Sequence, residues 1–390
     1  MSSSFSFTIN EEALIQFAQE LVRCQSWNPP GDEAGAAAIV AKQLRAFGID
    51  AQIHPVTPTR HNVYGRIRGR GQGPGHLLLA GHMDTVPPGD VPWEHGALSG
   101  DLAEGRIHGR GSSDMKGGLA AIVFAAGALA QSSFKPSSDL LIAATVGEEV
   151  DCLGARALVD EGILQGVTAI GIPEPTGLNL MTAHKGALWV KIVTQGRAAH
   201  GARPDLGVNA ILHMQETIRR IVATEWSAPA HPLLGIPTRN VATIQGGTKT
   251  NMVPDRCELT IDFRSLPGQV HARLVTQLQK ILDDLAKEIP DYRGTLEVIN
   301  DKAAVSTPAD AAFVQTAQRV GQSLWGKPLP PQGVAYYTDA SVLAPASGAP
   351  VIILGPGEAD LAHKTNEWIL VEKLVKAAQF YADLAGQWLA

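Results

Sequence analysis

Four short apolar runs in this chain each lead into glycine- or proline-bordered acids and histidines, and no other feature narrows the available folds as far. Residues 77–80 lead into Gly81, His82, Met83 and Asp84, and residues 140–146 into Gly147, Glu148 and Glu149. Residues 169–172 lead into Pro173 and Glu174, and 351–354 into Gly355 and later His363. Runs this short and this rich in Val, Ile and Leu predict buried strands of a parallel sheet, whose carboxyl ends are where ligands gather. With Asp114, the run ends offer histidines and acids to one site. Imidazole and carboxylate both suit zinc, so a two-metal hydrolytic centre is the expected chemistry.

At 390 residues the chain exceeds the usual size of one core, so two domains are expected. Helix and strand patterns alternate up to Glu174, which argues for right-handed crossovers and a mainly parallel sheet with helices on both faces. From 181 the texture changes. Residues 187–194, 240–244 and 257–263 read as strands, and 207–223 and 270–289 as helices. Two helices on a small sheet make an α+β insert, placed at 181–292. Residues 296–299, a helix near 311–325 and the 351–354 strand are expected to complete the first domain.

Composition removes several partner classes. A net charge of -6 with no basic stripe disfavours nucleic acid and anionic membrane surfaces. The apolar stretch 119–130 is alanine-rich and reads as a core helix too short to span a bilayer. No positive segment followed by an apolar one opens the chain, so no export signal is expected, and the scattered Cys24, Cys152 and Cys257 fit a reducing, cytoplasmic setting.

At the site itself, His82 and Asp84 alternate, so one can ligate metal while the other turns away or holds the imidazole's second nitrogen. Asp114 follows Gly111-Ser112-Ser113 and precedes a long helix, as either a ligand or a plain helix-entry residue. Glu148 and Glu149 are consecutive, and neighbouring side chains at a strand end point different ways. One can bind metal while the other exchanges a proton with a metal-activated water and passes it to a leaving amine. The pattern leaves open which does which.

Together the motifs carry a family resemblance. Gly81-His82-Met83-Asp84-Thr85-Val86-Pro87, Gly111-Ser112-Ser113-Asp114-Met115-Lys116-Gly117-Gly118, Gly147-Glu148-Glu149, Glu174-Pro175-Thr176 and Ala362-His363-Lys364-Thr365-Asn366-Glu367 resemble, in order, the signature series of the dizinc aminoacylase and carboxypeptidase family. That family includes acetylornithine deacetylase, succinyl-diaminopimelate desuccinylase and glutamate carboxypeptidase. The resemblance implies an α/β catalytic domain formed by 1–180 and 293–390, and an inserted α+β, ferredoxin-like lid and dimerisation domain at 181–292. It implies two Zn2+ per subunit, with Co2+ or Mn2+ able to substitute. One zinc would be held by His82, Asp114 and Glu174, the other by Asp114, Glu149 and His363. Asp114 would bridge, Glu148 would be the general base and acid, and Asp84 would orient His82.

The same resemblance reaches the insert. His200, between Gly196-Arg197-Ala198-Ala199 and Gly201-Ala202-Arg203-Pro204, would stabilise an oxyanion, and Asn251 and Arg264 would hold the substrate, the Arg264 fork suiting a carboxylate. A homodimer through the lid is implied. Ala335-Tyr336-Tyr337-Thr338-Asp339-Ala340 departs from the usual pattern by its two tyrosines, which either line an acyl pocket or pack in the core. The expected activity is hydrolysis of the amide of an N-acyl amino acid by a metal-bridging hydroxide, with a carboxypeptidase or dipeptidase acting on a short peptide as the alternative. A two-metal phosphoesterase would want a Lys or Arg clamp near the ligands, and a mere binding protein has no use for a general base.

Overall fold

The computed structural model describes residues 7–226 and 228–390. The chain divides into two compact units, one formed by residues 1–183, 306–333 and 338–390, the other by 184–305 and 334–337.

In the first unit the four apolar runs are neighbours. Strands run Leu140–Thr145, His76–His82, Val167–Ile172 and Val351–Ile353 across the centre of a nine-stranded sheet, each parallel to the next. Asp50–Pro55 and His61–Ile67 extend one side antiparallel. The run ends therefore lie along one edge, because parallel strands in register bring their carboxyl ends together. Alternation then divides the side chains. Leu77, Leu79, Ile142 and Ala144 join the main core under the helices Gly117–Ala130 and Val371–Trp388. The helices Leu153–Asp160 and Ala340–Ser347 pack on strands Leu140–Thr145 and Val167–Ile172 respectively.

Helix Gly117–Ala130 is buried almost all round, as its alanine-rich sequence predicts. The segment Ser112–Ala130 is long and apolar enough to cross a membrane by those measures, and 83% of it is buried within the fold. Its glycines allow close approach. A Cβ on Gly118 would lie 2.0 Å from the Pro173 carbonyl oxygen, and one on Gly355 would lie 2.1 Å from the same atom and 2.3 Å from that of Glu174. The segment carrying Glu174 is thus clasped between two residues without side chains.

The second unit is a four-stranded antiparallel sheet ordered Thr238–Gly246, Arg256–Arg264, Ala187–Gln195, Arg293–Lys302. Helices Ala210–Ala223 and His271–Glu288 pack on it through Met214, Ile221, Leu278, Leu282 and Leu285. The βαββαβ chain order and this strand order are those of a ferredoxin-like unit. The expected boundary at 292 is corrected here. Residues 293–302, assigned from sequence to the first domain, form the fourth strand and pair with Ala187–Gln195, so the chain leaves this unit after 305. Residues 296–299 alone are too short a run to show which sheet they join.

Gly118→Ala and Gly355→Ala should each destabilise the protein by about 1–3 kcal/mol through overpacking against main chain that cannot move aside. Urea unfolding midpoints check this, and an unchanged midpoint would show that the clasp yields freely.

Candidate metal centre

The structure gathers His82, Asp84, Asp114, Glu148, Glu149, Glu174 and His363 at that strand edge of the first unit. His82 ends its strand with its ring 1% exposed. Its Nδ1–H donates to the main-chain carbonyl of Asp84 at 2.8 Å, so Nε2 is aimed into the cluster and is the nitrogen that the neutral ring would offer a metal. Asp114 Oδ1 lies 3.3 Å from that Nε2, Glu174 Oε1 3.7 Å and Glu148 Oε2 4.0 Å. The other Asp114 oxygen, Oδ2, lies 3.5 Å from His363 Nε2, which is 2.9 Å from Glu149 Oε2. Asp114 therefore turns one oxygen to each histidine.

The helix-entry alternative for Asp114 falls away. Asp114 and Met115 leave helical angles, at φ -123, ψ 99 and φ -129, ψ 31, and the helix that follows has no side-chain cap.

Asp84 touches the His82 ring and does more besides. The ring's 2.8 Å bond is to the Asp84 carbonyl, while the nearer carboxylate oxygen stands 3.5 Å from Nδ1. That carboxylate also accepts N–H groups from Gly147 at 2.9 Å and from Glu148 and Glu149 at 3.2 Å, and the Asn28 side-chain amide at 2.8 Å. It fixes the turn that presents both glutamates. Asn28 sits beside Pro29 and Pro30, so sequence marks it only as a turn residue.

Charge is crowded here. Burial, then the Glu174 charge, pushes the Glu148 carboxyl well above its ordinary range, and burial does the same to Glu174. Burial lifts Glu149 as well, with Asp114 adding to it. Asp339, buried and bonded by the Thr145 hydroxyl at 2.7 Å, adds its charge to both Glu148 and Glu174. Burial opposes charge on His82, yet Asp114 and Asp84 hold it well above the usual histidine value. Glu149 Oε1 is buried without a hydrogen-bond partner. Buried acids in excess of cations, an orphaned carboxylate oxygen and nitrogen–oxygen donors within 4.8 Å of one another in the sets His82, Glu148, Glu174 and His82, Asp114, Glu149 fit divalent metal. Distance alone does not divide Glu148 from Glu149, since each falls in one of those sets.

His200, Asn251 and Arg264 lie in the second unit. The Ala202 N–H donates to His200 Nδ1 at 3.0 Å, which puts the proton of the neutral ring on Nε2, and the Gly201 N–H donates to the Asn251 carbonyl at 2.8 Å. Arg264 Nε is 3.0 Å from Asp262 and lines a cavity of about 360 Å³ with Trp226, Arg239 and Phe263. Tyr336 and Tyr337 are half-buried in this unit, with Lys302 Nζ 5.8 Å from the Tyr337 ring centre.

One arrangement here escaped the sequence reading. Ser265 Oγ is 2.7 Å from His271 Nε2, and His271 Nδ1 is 2.6 Å from Asp301. The order resembles a nucleophile relay, but Ser265 is 2% exposed. Its N–H is spent on the Gly186 carbonyl, and the next N–H, of Leu266, on the Gln269 side chain, which leaves neither as an oxyanion donor. The chain of bonds steadies the turn that follows Arg264.

The charge crowding predicts how stability depends on pH. Glu148 and Glu174 have native values above the ordinary 4.5, so the folded chain keeps protons that the unfolded chain has released. Metal-free stability should therefore fall as pH rises above about 4.5, and His82, also raised, adds loss of the same sign above its usual 6.5. Divalent metal displaces those protons, so the rise in melting temperature on adding Zn2+ should be larger at pH about 7.5 than at about 5.5. Melts of chelator-treated protein with and without Zn2+ check this, and a pH-independent shift would contradict it.

Residues 78–387 match the model of peptidase family M20/M25/M40. Acetylornithine deacetylase of Klebsiella pneumoniae is 31% identical over 372 residues, 93% of this chain and 89% of that protein. That of Myxococcus xanthus is 32% identical over 319 residues, 79% of each. Among solved structures, aminopeptidase PepT from Bacillus cereus superposes with a TM-score of 0.79 at 24% identity, covering 98% of this chain and 100% of its own. YXEP of Bacillus subtilis, a dinuclear metal-binding peptidase of the M20 family, does so at 0.73 and 18%, covering 97% and 98%. With a match over most of its length and relatives above 30% identity, the chain belongs to peptidase family M20/M25/M40.

Proposed function

We propose that the chain is a dizinc N-acyl-amino-acid deacylase. One observation carries the two-metal reading: the Asp114 carboxylate offers Oδ1 toward His82 and Oδ2 toward His363. A carboxylate so placed can serve two cations at once. In this reading His82, Asp114 and Glu174 hold one zinc and Asp114, Glu149 and His363 the other. Deacylation of an amino acid is favoured over release of a C-terminal residue by the curated relatives, which are acetylornithine deacetylases.

When bound, the metals supply Lewis-acid polarisation of the scissile carbonyl and bring a water's pKa toward neutrality. Glu148 is left to move the proton. Its carboxylate accepts a proton from the attacking water and delivers it to the amide nitrogen as the carbon–nitrogen bond breaks, yielding a carboxylic acid and an amine; the acid's remaining proton then passes to the amine, leaving carboxylate and ammonium. Burial raises the Glu148 carboxyl's hold on a proton, the direction that a group which must return the proton it takes requires. Asp84 holds the Glu148–Glu149 turn. His200, with its proton on Nε2, is a donor for the developing oxyanion, and Asn251 and Arg264 bind the substrate, the latter through a carboxylate.

The insert is assigned as lid and dimer surface. Its outer strand Thr238–Gly246 is an exposed sheet edge bearing Ile244, and Leu212 and Val222 are exposed on a helix of the same unit. Sedimentation of the purified protein tests the dimer. Cys24, Cys152 and Cys257 form no disulfide with one another, which agrees with a cytoplasmic setting.

Glu148→Gln should lower kcat by about 10²–10⁴-fold while both metals remain bound. Turnover of N-acetyl, N-succinyl and N-formyl amino acids against dipeptides, with metal content measured in parallel, checks it. Full activity in the variant would remove Glu148 from the chemistry, and a preference for dipeptides would replace deacylase with dipeptidase.

A further inference from the structure

Glu367 lies four residues beyond His363 and has no part in the chemistry above, yet it is fully buried. Oε1 accepts the main-chain N–H groups of Ser113 at 2.8 Å and Asp114 at 3.0 Å. Oε2 accepts the N–H of Gly111 at 3.1 Å and Nη1 of Arg110 at 2.7 Å. The Glu367 carbonyl takes a further N–H, from Gly109, at 2.9 Å. One side chain thus collects three main-chain donors from the turn that ends in Asp114, including that of Asp114 itself.

Arg110 extends the contact to the other loop. Its guanidinium, 2% exposed, also donates to the carbonyls of His363 at 3.3 Å and Lys364 at 3.2 Å. That loop holds two non-glycine residues in the left-handed region, His363 at φ 63 and Asn366 at φ 62. Such conformations persist when surrounding bonds over-determine them, and the Arg110 bonds together with the Glu94 N–H to Asn366 Oδ1 bond at 2.9 Å supply that restraint. Glu367 and Arg110 therefore tie the loop of Asp114 to the loop of His363.

We propose that Glu367, acting with Arg110, is a positioning residue that sets Asp114 and His363 at the spacing a metal ion between them requires. The inference rests on the two-metal reading above. Chemistry explains why the position needs a carboxylate. All four partners of its oxygens are donors, and only a group that solely accepts satisfies them; a glutamine would turn its amide N–H groups against two of them.

A merely structural ion pair and a positioning residue differ in what they change. Metal-free wild type, Glu367→Gln and Arg110→Lys are titrated with Co2+ alone, well below their melting temperatures, reading cobalt absorption and bound metal per chain after dialysis. Wild type should bind two equivalents. In each variant at least one equivalent should weaken by about 10–100-fold, the range seen when groups that orient metal ligands are removed. Arg110→Lys keeps the charge and loses the fork that reaches His363, so it decides the matter if Glu367→Gln does not fold. Variants that melt lower but bind both equivalents as tightly as wild type would overturn the proposal and leave Glu367 a structural residue. Wild type that binds fewer than two equivalents would instead overturn the two-metal reading.

Discussion

Asp114 has one oxygen facing each of two histidines, and the geometry of the centre depends on holding it there. Like charges work against the arrangement, since Glu148, Glu149 and Glu174 crowd the same few ångströms and burial strips them of water. Without cations such a cluster is costly, and its acids respond by keeping protons. A protein can maintain it only if the backbone beneath is rigid.

Rigidity comes from carboxylates that face the backbone rather than the substrate. Asp84 collects the N–H groups of Gly147, Glu148 and Glu149, and Glu367 those of Gly111, Ser113 and Asp114. Each places a buried carboxyl group behind a turn that carries a residue of the cluster. The second device includes a guanidinium, Arg110, which lets it reach the loop of His363 as well. Helix and strand packing alone would not order these turns, because turns bury little apolar surface. The clasp of Gly118 and Gly355 around Pro173 does by close approach what the carboxylates do by hydrogen bonding.

Much of this was legible in the chain. The four apolar runs are four adjacent parallel strands, because continuous Val, Ile and Leu mark a strand buried on both faces. Helix Gly117–Ala130 follows its alanine-rich pattern. The boundary of the insert was not legible, since Arg293–Lys302 alternates weakly and only its pairing with Ala187–Gln195 shows which sheet it completes. The roles of Asn28 and Glu367 were hidden for a related reason. Asn28 reads as a turn residue and Glu367 as the polar end of a loop, and their partners lie 56 and 253–257 residues away in the chain.

By itself the sequence determined which residue types stand at the carboxyl ends of the buried strands and in what order, because hydrophobic runs and the residues that interrupt them are local properties. Tertiary structure decided which oxygen of Asp114 meets which histidine, that the Asp84 carboxylate serves the glutamate turn more closely than the His82 ring, and that Glu367 lies beneath the Asp114 turn. Those are pairings between segments far apart in the chain. Only the folded arrangement of the sheet and its loops sets the distances on which hydrogen bonds and metal coordination depend.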